Sequence, residues 1–333
     1  MKKPTIYDVA RLADVSEGTV SNVLNRPSYV SAELQKRVKQ AMLDLDYKPR
    51  GSARQFRNGR SRNFGLVLAD MANPFFTRIA FGAQEVARDL GVGLVLCNSA
   101  EDTRREAENL DLLLQQRVQG IILSQVDETS ERVNSLRERG VPIVLVDRVP
   151  SASPLSAVSV NERMGGELVG EHLRSKGFSR VGFVGDTGAS PKVGLRLSGI
   201  RAGFGGEPDS IEQLSVSGWT FESGVQGAEQ WLAVPEEQRV RAVACANDMV
   251  ALGLLQRLVK AGVKVPEELA VIGYDDLEIA AMNTIPLTSV RQPAAQAGRT
   301  AVSLILREIN RADEGYDNRH VVLSPSLVVR ETG

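Results

Sequence analysis

The sequence predicts a small all-α head joined to an α/β body that contains two doubly wound parallel sheets. Apolar residues recur at helical spacing in residues 5–45. From Asn63 onward, short apolar runs alternate with longer amphipathic segments, and this alternation occurs in two successive sets. With 333 residues, of which 42% are hydrophobic and 24% charged, the chain is long enough for two or three domains with sizeable cores.

The head and the body carry opposite net charge. Residues 1–62 contain 13 Lys and Arg against 6 Asp and Glu, whereas the remaining residues contain 27 against 35, within a whole-chain charge of -1. A basic terminal domain is typical of a protein that binds nucleic acid, although a solvated positive face would give the same count. Charge alone leaves both interpretations open.

The sequence gives no sign of export, of a membrane segment or of a metal site. No long apolar run follows Lys2, and no later segment approaches about eighteen uncharged apolar residues, so we expect a cytoplasmic protein without membrane contact. Cys97 and Cys245 lie in apolar runs and share no metal-ligand spacing with His172 or His320. We therefore expect two reduced core thiols, no metal and no cofactor.

Three short helices are predicted in the head. Thr5 is placed to cap the first helix together with Asp8, Ser16 to cap the second, and Ser31 to cap the third. A tight turn that includes Asp14 joins the first two helices. Such a pair forms a helix-turn-helix module, whose second helix enters the DNA major groove. A three-helix bundle that binds protein is the alternative.

The second helix of the head, in the stretch SEGTVSNVLN, has an apolar inner face and a polar outer face. Val20, Val23 and Leu24 point inward, and Gly18 allows close approach to bases at a cost in helix propensity of ~1 kcal/mol. The residues expected to be exposed on this helix are Glu17, Gly18, Thr19, Ser21 and Asn22. The DNA contacts predicted in the head are Thr5, Tyr7, Ser16, Glu17, Gly18, Thr19, Ser21, Asn22, Asn25 and Ser31.

Several motifs of the head resemble those of the LacI/GalR family of bacterial transcription regulators. They are TIYDVARLADVS, the T-V-S of Thr19 to Ser21, the following V-L-N and the later LDYKP. The resemblance continues through the body to the C terminus. It implies a DNA-binding regulator, expected to be a repressor, whose operator affinity is controlled by a small-molecule effector such as a sugar or sugar derivative.

The segment after Pro49 is rich in arginine and glycine. A helix of about seven or eight residues is too short to persist alone in water, so we expect residues 52–57 to be disordered or frayed without DNA. In similar proteins this stretch becomes a hinge helix on the operator and inserts a leucine of A-x-x-L into the minor groove. In this chain Phe56 stands at the position of that leucine, and phenylalanine is one of the apolar side chains that proteins insert between base pairs. A flexible linker is the alternative. The hinge contacts predicted with DNA are Ala53, Arg54, Phe56 and Arg57.

The apolar runs of the body predict two sets of buried parallel strands. NFGLVLAD, VGLVLCNS, VQGIILS and VPIVLVDR belong to the first set, with helix patterns such as FFTRIAFGAQEVARDL and TRREAENLDLLLQQR between them. RVGFVGD, RAVACAND and LAVIGYDD belong to the second, with helices near residues 163–176, 222–231 and 249–261. Two such layers imply two subdomains that face a cleft, with ligands at the carboxyl ends of the strands.

Polar and aromatic side chains follow the predicted strands or precede the adjacent helices. Such groups suit a sugar, because carboxylates, amides and a guanidinium bind hydroxyl pairs and an indole packs on the apolar ring face. Asn73, Asp248 and Asp276 can instead be helix caps. Trp219 can instead be a core residue, and Arg196 a surface ion pair. The predicted effector-binding residues are Asp70, Asn73, Phe75, Arg148, Arg196, Trp219, Asn247 and Asp275.

The family resemblance assigns roles to some of these residues. It implies effector contacts by Arg196 of R-x-x-G, Asn247 of A-N-D and Asp275 of G-Y-D-D, with an aromatic at the position of Trp219 that often stacks on the effector.

The resemblance also implies a body like that of periplasmic binding proteins, in which the chain crosses between subdomains near Val160, Arg291 and Val321. The predicted domains are 1–49 for the helix-turn-helix DNA-binding domain, 50–61 for the hinge segment, 62–160 with 292–321 for the effector-binding N-subdomain, and 161–291 with 322–333 for the effector-binding C-subdomain.

No motif of a common enzyme class is present, so no catalytic residue is predicted. The sequence lacks G-x-x-x-x-G-K-[ST], a G-x-G-x-x-G after a strand, G-x-S-x-G and H-E-x-x-H. Asp275 and Asp276 are adjacent in a predicted extended run, where they would point to opposite sides and make a poor acid/base pair. A sugar-binding protein of the periplasmic type would share this body, but it would need an export signal where this chain has a DNA-binding head.

A homodimer on a two-fold symmetric operator is predicted, because one recognition helix covers only a few base pairs. No heptad pattern follows LVVRETG, so we expect dimers and no tetramers. Effector binding is expected to select one arrangement of the subdomains and so to set the spacing of the two hinge segments. The sequence leaves open which effector binds, whether it releases or strengthens DNA binding, and which operator is read.

Overall fold

The computed structural model describes most of the chain as two compact units, Met1–Ser61 and Arg62–Gly333. The hinge residues Ala53, Arg54, Phe56 and Arg57, the cleft residue Arg148 and the side chain of Asn25 lie outside the described part. The described residues are 4–25, 29–45, 47, 61–124, 126, 130–147, 155–188, 190–205, 210–310 and 319–333.

Each of the three predicted helices of the head begins at its predicted cap. Thr5 Oγ1 accepts from the backbone N–H of Asp8, whose carboxylate accepts from the Thr5 N–H at 2.8 Å, so the capping box is complete. Ser16 Oγ accepts from the Thr19 N–H at 3.1 Å, and Ser31 caps the third helix in the same way. The helices are α1 (Ile6–Leu12), α2 (Glu17–Asn25) and α3 (Ala32–Asp44).

The third helix fixes the turn between the first two. Val9, Val20 and Val38, one from each helix, are fully buried against one another. Arg37 of α3 donates to the carbonyl of Ala13 at 2.6 Å and to the carbonyl of Asp14 at 3.1 Å. These carbonyls at the end of α1 have no partner within their own helix, so the guanidinium both satisfies them and holds the turn.

The body alternates strands and helices along the chain. In chain order its elements are β1 (Asn63–Leu68), α4 (Pro74–Asp89), β2 (Gly93–Asn98), α5 (Thr103–Gln115), β3 (Ile121–Leu123), α6 (Glu131–Glu138), β4 (Ile143–Val146), β5 (Ser156–Val160), α7 (Glu162–Ser175), β6 (Val181–Gly185), α8 (Pro191–Phe204), β7 (Ile211–Ser215), α9 (Phe221–Ala233), β8 (Ala242–Cys245), α10 (Asp248–Lys260), β9 (Ala270–Asp275), α11 (Glu278–Ala281), β10 (Thr288–Arg291), α12 (Ala294–Asn310), β11 (His320–Leu323) and β12 (Ser326–Val328).

The first sheet has the strand order β11-β5-β4-β3-β1-β2, with parallel pairing throughout. The central strands are buried, as their continuous apolar runs predict. The expectation that VGLVLCNS is a buried strand is wrong, because β2 lies at the sheet edge and Cys97 is the one residue of this strand that is buried. Cys97 is a free, buried thiol, as is Cys245 in β8 of the second sheet.

The second sheet has the order β12-β10-β9-β8-β6-β7. Its pairing is parallel except for β12, which runs antiparallel to β10 at the edge, so the sheet is not purely parallel. The sequence did not identify β7 as a strand, because it is a short edge strand whose polar residues interrupt the apolar pattern.

The chain crosses between the two sheets three times. It leaves the first sheet after Val160, returns after Arg291 and crosses again between Leu323 and Ser326. The third crossing therefore lies just after β11, the strand that contains Val321. The predicted limits of the subdomains stay a prediction. None of the described helices has both the length and the apolar composition that a bilayer span requires.

Helices α7 and α8 touch backbone to backbone through glycines. A Cβ on Gly199 would lie 2.0 Å from the carbonyl oxygen of Arg163, and one on Gly166 would lie 2.1 Å from that of Arg196. No side chain fits in such a contact. The start of α7 is therefore held against α8, which carries Arg196.

Gly199→Ala is expected to destabilise the body by about 1–3 kcal/mol, because the added methyl group must push the helices apart. Gly194→Ala is the matched control on the same helix: its Cβ would meet nothing within 4 Å. Alanine favours helix over glycine by about 1 kcal/mol, so this control is expected to stabilise. Urea unfolding of both variants measures the difference, and equal effects would contradict the close contact.

Candidate functional sites

A cavity of about 510 Å³ lies between the two sheets of the body, at the carboxyl ends of their strands. All predicted cleft residues within the described part contribute to its lining. They are Asp70, Asn73, Phe75, Arg196, Trp219, Asn247 and Asp275. The strands bring these residues together from both sheets, because the crossovers of a parallel layer return every strand end to the same edge.

Arg196 lies at the base of this cavity as a buried cation. Its Nε donates to Glu162 Oε2 at 2.8 Å and its Nη1 donates to the carbonyl of Ala246 at 2.5 Å. The guanidinium carbon lies 3.8 Å from the centroid of the Tyr274 ring. The alternative of a surface ion pair is wrong, since both partners are almost fully buried. A guanidinium held on three sides presents its remaining N–H groups in a fixed direction.

Asp275, at the end of β9, is also buried in the lining. Gln292 Nε2 donates to Asp275 Oδ1 at 2.6 Å. Burial raises the pKa of Asp275 to about 7, against the lowering effect of the charge on Arg196. The carboxyl group can therefore accept hydrogen bonds as an anion or donate one as an acid within the neutral pH range.

The backbone at Asp275 and Asp276 is not extended as predicted. Their φ angles are 119° and 52°, in a region that L-residues rarely adopt. Asp276 turns to the other side, where Arg291 Nε donates to it at 2.6 Å and Arg330 Nη2 at 2.5 Å. Burial of the Asp276 carboxyl opposes ionisation, but the hydrogen bonds and charges of this pair of arginines lower its pKa. The two adjacent aspartates thus have separate environments.

Two amides of the cleft are helix caps. Asn73 Oδ1 accepts from the Phe75 N–H at 2.9 Å at the start of α4, so its cap interpretation is correct. Asn247 Oδ1 caps α10, and its Nδ2 donates to the carbonyl of Trp219 at 3.0 Å. Each amide is thereby fixed in orientation while it still lines the cavity.

Asp248 is not a cap. Its carboxylate accepts from Ser289 Oγ at 2.6 Å and from the Leu277 N–H at 2.7 Å, fully buried below the cleft. Burial raises its pKa well above the usual range. Asp248 therefore supports the polypeptide around Asp275 without lining the cavity.

Among the described residues, side-chain hydrogen bonds join the half of the body that contains the first sheet to the half that contains the second. Trp219 Nε1 donates to Glu101 Oε2 at 3.0 Å, so this half-buried indole lies at the cleft and not in the core. The ammonium of Lys192 donates to the carboxylate of Asp147. At the cleft margin, Arg78 Nη1 donates to the carbonyl of Asp276 at 2.7 Å.

Sequence reasoning missed several lining residues, notably Glu101, Lys192 and Gln292. Asp147 directly follows the apolar run of β4 and also lines the cavity, whereas Gln292 follows β10, whose residues TSVR do not form an apolar run. Glu101 and Lys192 follow no such run, and only the packing of the two halves brings them to the cavity.

The predicted DNA-contacting face of the head is mostly open. Thr19 and Ser21 are half-buried and not exposed as expected, and the Thr19 hydroxyl lies 2.9 Å from Ser16 Oγ as part of the cap. A Cβ on Gly18 would approach only Ser16 Oγ, at 3.5 Å, so nothing within the described head requires a glycine there. The exposed candidates are Thr5, Tyr7, Ser16, Glu17, Gly18, Asn22 and Ser31.

Comparison with known proteins gives consistent matches over nearly the whole chain. Residues 5–50 match the family described as bacterial regulatory proteins, lacI family, and residues 170–332 match a periplasmic binding protein-like domain. The ribose operon repressor of Escherichia coli is 33% identical over 98% of both chains. The HTH-type transcriptional repressor PurR of Photobacterium profundum is 29% identical over the same share.

Solved structures of similar proteins share the whole fold. The Lac repressor dimer bound to operator and the anti-inducer ONPF matches with a TM-score of 0.82 and 29% identity over 99% of each chain. The transcriptional regulator CelR in complex with cellobiose matches with a TM-score of 0.71 and 30% identity, over 99% of this chain and all of that one.

The raised pKa of Asp275 predicts a pH-dependent stability difference for Asp275→Asn. The folded-state pKa lies above the unfolded value of about 3.9, so this carboxyl group stabilises the fold fully below pH ~4 and loses that contribution as the pH rises to about 7. Asparagine keeps the acceptor for Gln292 without the charge. We expect the variant to exceed the parent in stability by at least ~1 kcal/mol at pH 8, with the gap closing toward pH 4.

Urea unfolding at several pH values measures this gap. Asp89→Asn, at an exposed aspartate that ends α4, is the control and should run parallel to the parent. A gap for Asp275→Asn that is equal at pH 4 and pH 8 would contradict the raised pKa.

Proposed function

Because the chain belongs to the LacI family of bacterial regulatory proteins, we propose that its head reads an operator and that its cleft binds the small molecule which controls this reading. The protein is a DNA-binding transcription regulator. The observation that carries the proposal for the cleft is the convergence of Arg196, Asn247, Asp275 and Trp219 on one cavity at the strand ends. We assign this cavity to binding and no catalytic step to it.

The lining supports a sugar as the effector. Carboxylates and amides fixed by neighbouring bonds can pair with adjacent hydroxyl groups, while the indole of Trp219 and the ring of Phe75 offer apolar surfaces to a sugar ring. A cavity of this size lies within the ~300–1,000 Å³ of typical ligand pockets. Among similar proteins, CelR was solved with cellobiose and a LacI-family regulator of Enterococcus faecalis with ribose.

The charge of the lining favours an uncharged sugar over a phosphorylated one. Among the described residues, both lining cations are already engaged, Lys192 by Asp147 and Arg196 by Glu162. A phosphate group needs unengaged cations or free helix N-terminal amides. The four helices that begin at the cavity are capped by their own side chains, which are Asn73, Ser190, Thr220 and Asn247.

The lining also supports allosteric control. Asp70 and Asn73 come from the half that contains the first sheet, whereas Arg196 and Asp275 come from the other half. A ligand that contacts both halves binds one of their arrangements more tightly and shifts the population toward it. A coupling of ~1 to 3 kcal/mol, or roughly 5- to 150-fold in operator affinity, is typical. Arg148 keeps its proposed contact with the effector on sequence grounds.

On the DNA side, we propose a homodimeric repressor that acts in the cytoplasm on a two-fold symmetric operator. The open face of α2 enters the major groove, where Gly18 permits close approach and Asn22 reads a base edge. Ala53, Arg54, Phe56 and Arg57 keep their proposed contacts with the minor groove, from the sequence alone. The similar Lac repressor structure is a dimer bound to operator.

The central test of the cleft is effector control of operator binding by the full chain. Uncharged one- and two-ring sugars, among them ribose and cellobiose, and their phosphate esters are screened by thermal shift. A hit is then added to an operator selected from random DNA. We expect hits only among the uncharged sugars, and Trp219→Ala should need at least ~10-fold more of the hit while it binds the free operator normally.

The two tryptophans allow a direct readout of the same test. Trp231 is buried, with its N–H donating to the carbonyl of Val240. In a Trp231→Phe background, sugar binding should therefore change the fluorescence of Trp219 alone. Binding of phosphorylated sugars in preference to uncharged ones would overturn the proposed ligand class, and a sugar that binds without any effect on operator affinity would overturn effector control.

Asn22→Arg is expected to change base preference. Asparagine pairs with the N6 and N7 edge of adenine, whereas an arginine fork pairs with O6 and N7 of guanine. One position in each half-site should therefore move from A·T toward G·C, with a discrimination of ~1 to 3 kcal/mol. Selection of sites from random DNA compares the variant with the parent.

Gln40→Arg is the matched control for added charge, because Gln40 is exposed and belongs to α3, not to the proposed DNA-reading helix α2. It should strengthen binding to all sequences without altering the selected site. Identical selected sites for the parent and Asn22→Arg would make Asn22 a phosphate-facing or uninvolved residue.

A further inference from the structure

Glu101 lies where the cavity of the body opens to solvent. The residue is exposed and yet belongs to the cavity lining. Trp219, from the half that contains the second sheet, lines the same cavity and is half-buried. Trp219 Nε1 donates to Glu101 Oε2 at 3.0 Å, so this bond joins the two halves at the mouth of the cleft.

The first half fixes the position of Glu101 through an unusual turn. Ala100 and Glu101 have φ angles of 49° and 57°, in the left-handed region that L-residues rarely adopt. The Glu101 N–H donates to the carbonyl of Ala69 at 2.9 Å, and Asp102 caps α5 directly after the turn. Strain that the surrounding structure fixes in this way is found at ligand clamps and switch regions. None of these bonds involves the second half of the body.

The second half fixes the position of Trp219 in the same independent way. Asn247 Nδ2 donates to the carbonyl of Trp219 at 3.0 Å, and the next residue, Thr220, caps α9. The indole packs against buried apolar residues on one side, which limits its orientation. Both ends of the bond are therefore held by their own halves, so the bond exists only when the halves are close together.

The chemistry of the two groups makes the bond selective. An indole N–H only donates, and an ionised carboxylate only accepts and makes a stronger bond than a neutral acceptor does. Within the part of the chain that the structure describes, no lysine or arginine forms an ion pair with Glu101. The carboxylate of Glu101 thus has no competing cation and is available to Trp219.

We propose that Glu101 and Trp219 form a clasp that retains the effector: their bond closes the mouth of the cleft over a sugar that packs on the indole. This inference rests on the proposed binding of an uncharged sugar in the cleft. Glu101 is a positioning residue in this role and needs no contact with the sugar. The ligand enters before the bond forms and leaves only after it breaks, so the bond slows dissociation without slowing association.

The test compares the rates at which the full chain binds and releases an uncharged sugar, for the parent, Glu101→Met and Glu101→Gln. The probes are ribose, cellobiose and any further hit of the sugar screen, followed by Trp219 fluorescence in the Trp231→Phe background. Methionine has a similar length but no acceptor for the indole. We expect Glu101→Met to release the sugar roughly 2- to 10-fold faster, the ratio that the net free energy of one hydrogen bond corresponds to. Association should stay unchanged, and Glu101→Gln, which keeps a neutral acceptor, should lie between the other two.

Trp219→Phe separates the clasp from a direct contact of Glu101 with the sugar. Phenylalanine keeps an aromatic ring for the sugar but lacks the N–H that Glu101 accepts. Calorimetry should therefore show that Glu101→Met weakens sugar binding in the parent and has no further effect in Trp219→Phe. An equal loss in both backgrounds would mean that Glu101 contacts the sugar itself or only shapes its own turn, and it would overturn the clasp.

Glu108→Met is the matched control, because Glu108 is exposed on α5 and lies outside the cavity lining. This variant should keep both rate constants of the parent. Equal dissociation rates for the parent and Glu101→Met overturn the clasp and leave the proposed sugar site intact. Failure of the parent to bind any uncharged sugar overturns the proposed function itself, together with this inference.

Discussion

The buried charge of Arg196 is the constraint on which the cleft depends. A guanidinium cannot lose its charge in the interior, so it requires a counter-charge and acceptors wherever it is buried. Glu162 supplies the charge from the start of α7, and the carbonyl of Ala246 and the ring of Tyr274 supply the remaining contacts. Each of the last two directly precedes a predicted effector-binding residue. One cation thus positions Asn247 and Asp275 through their neighbours in the chain.

The packing of the body follows from the same requirement. Glu162 can reach Arg196 only if α7 and α8 lie in backbone contact, which the glycines at their interface allow. The Asp248 carboxylate packs against β9 at Gly273. A Cβ at this position would lie 2.1 Å from the carboxylate oxygen, so no side chain fits there. The glycines next to these buried charged groups therefore provide the space in which the groups reach their partners.

Strain and burial are concentrated at Asp275 and Asp276. The unusual backbone there is held by bonds on both sides, from Gln292 to the first aspartate and from Arg291 and Arg330 to the second. Backbone strain of this kind persists only where the surrounding structure fixes it. Arg291 ends β10 and Gln292 begins the segment that connects the halves, so two of these bonds come from the place where the chain leaves the second sheet.

The sequence by itself determined the features that arise from local interactions. The three head helices begin at the predicted caps because capping bonds span only three or four residues, and the central strands follow from continuous apolar runs. The family motifs also led to the cleft residues Arg196, Asn247 and Asp275. These predictions needed no knowledge of which elements become neighbours.

Only the tertiary structure decided the features that depend on distant parts of the chain. Glu101 meets Trp219 and Lys192 meets Asp147 across the cleft, and the antiparallel pairing of β12 follows a third crossing of the chain. The exposure of β2 follows from its place at the sheet edge, which no local pattern encodes. The physical reason is that burial, pKa and hydrogen-bond partners are set by neighbours in space, and a linear pattern records only neighbours along the chain.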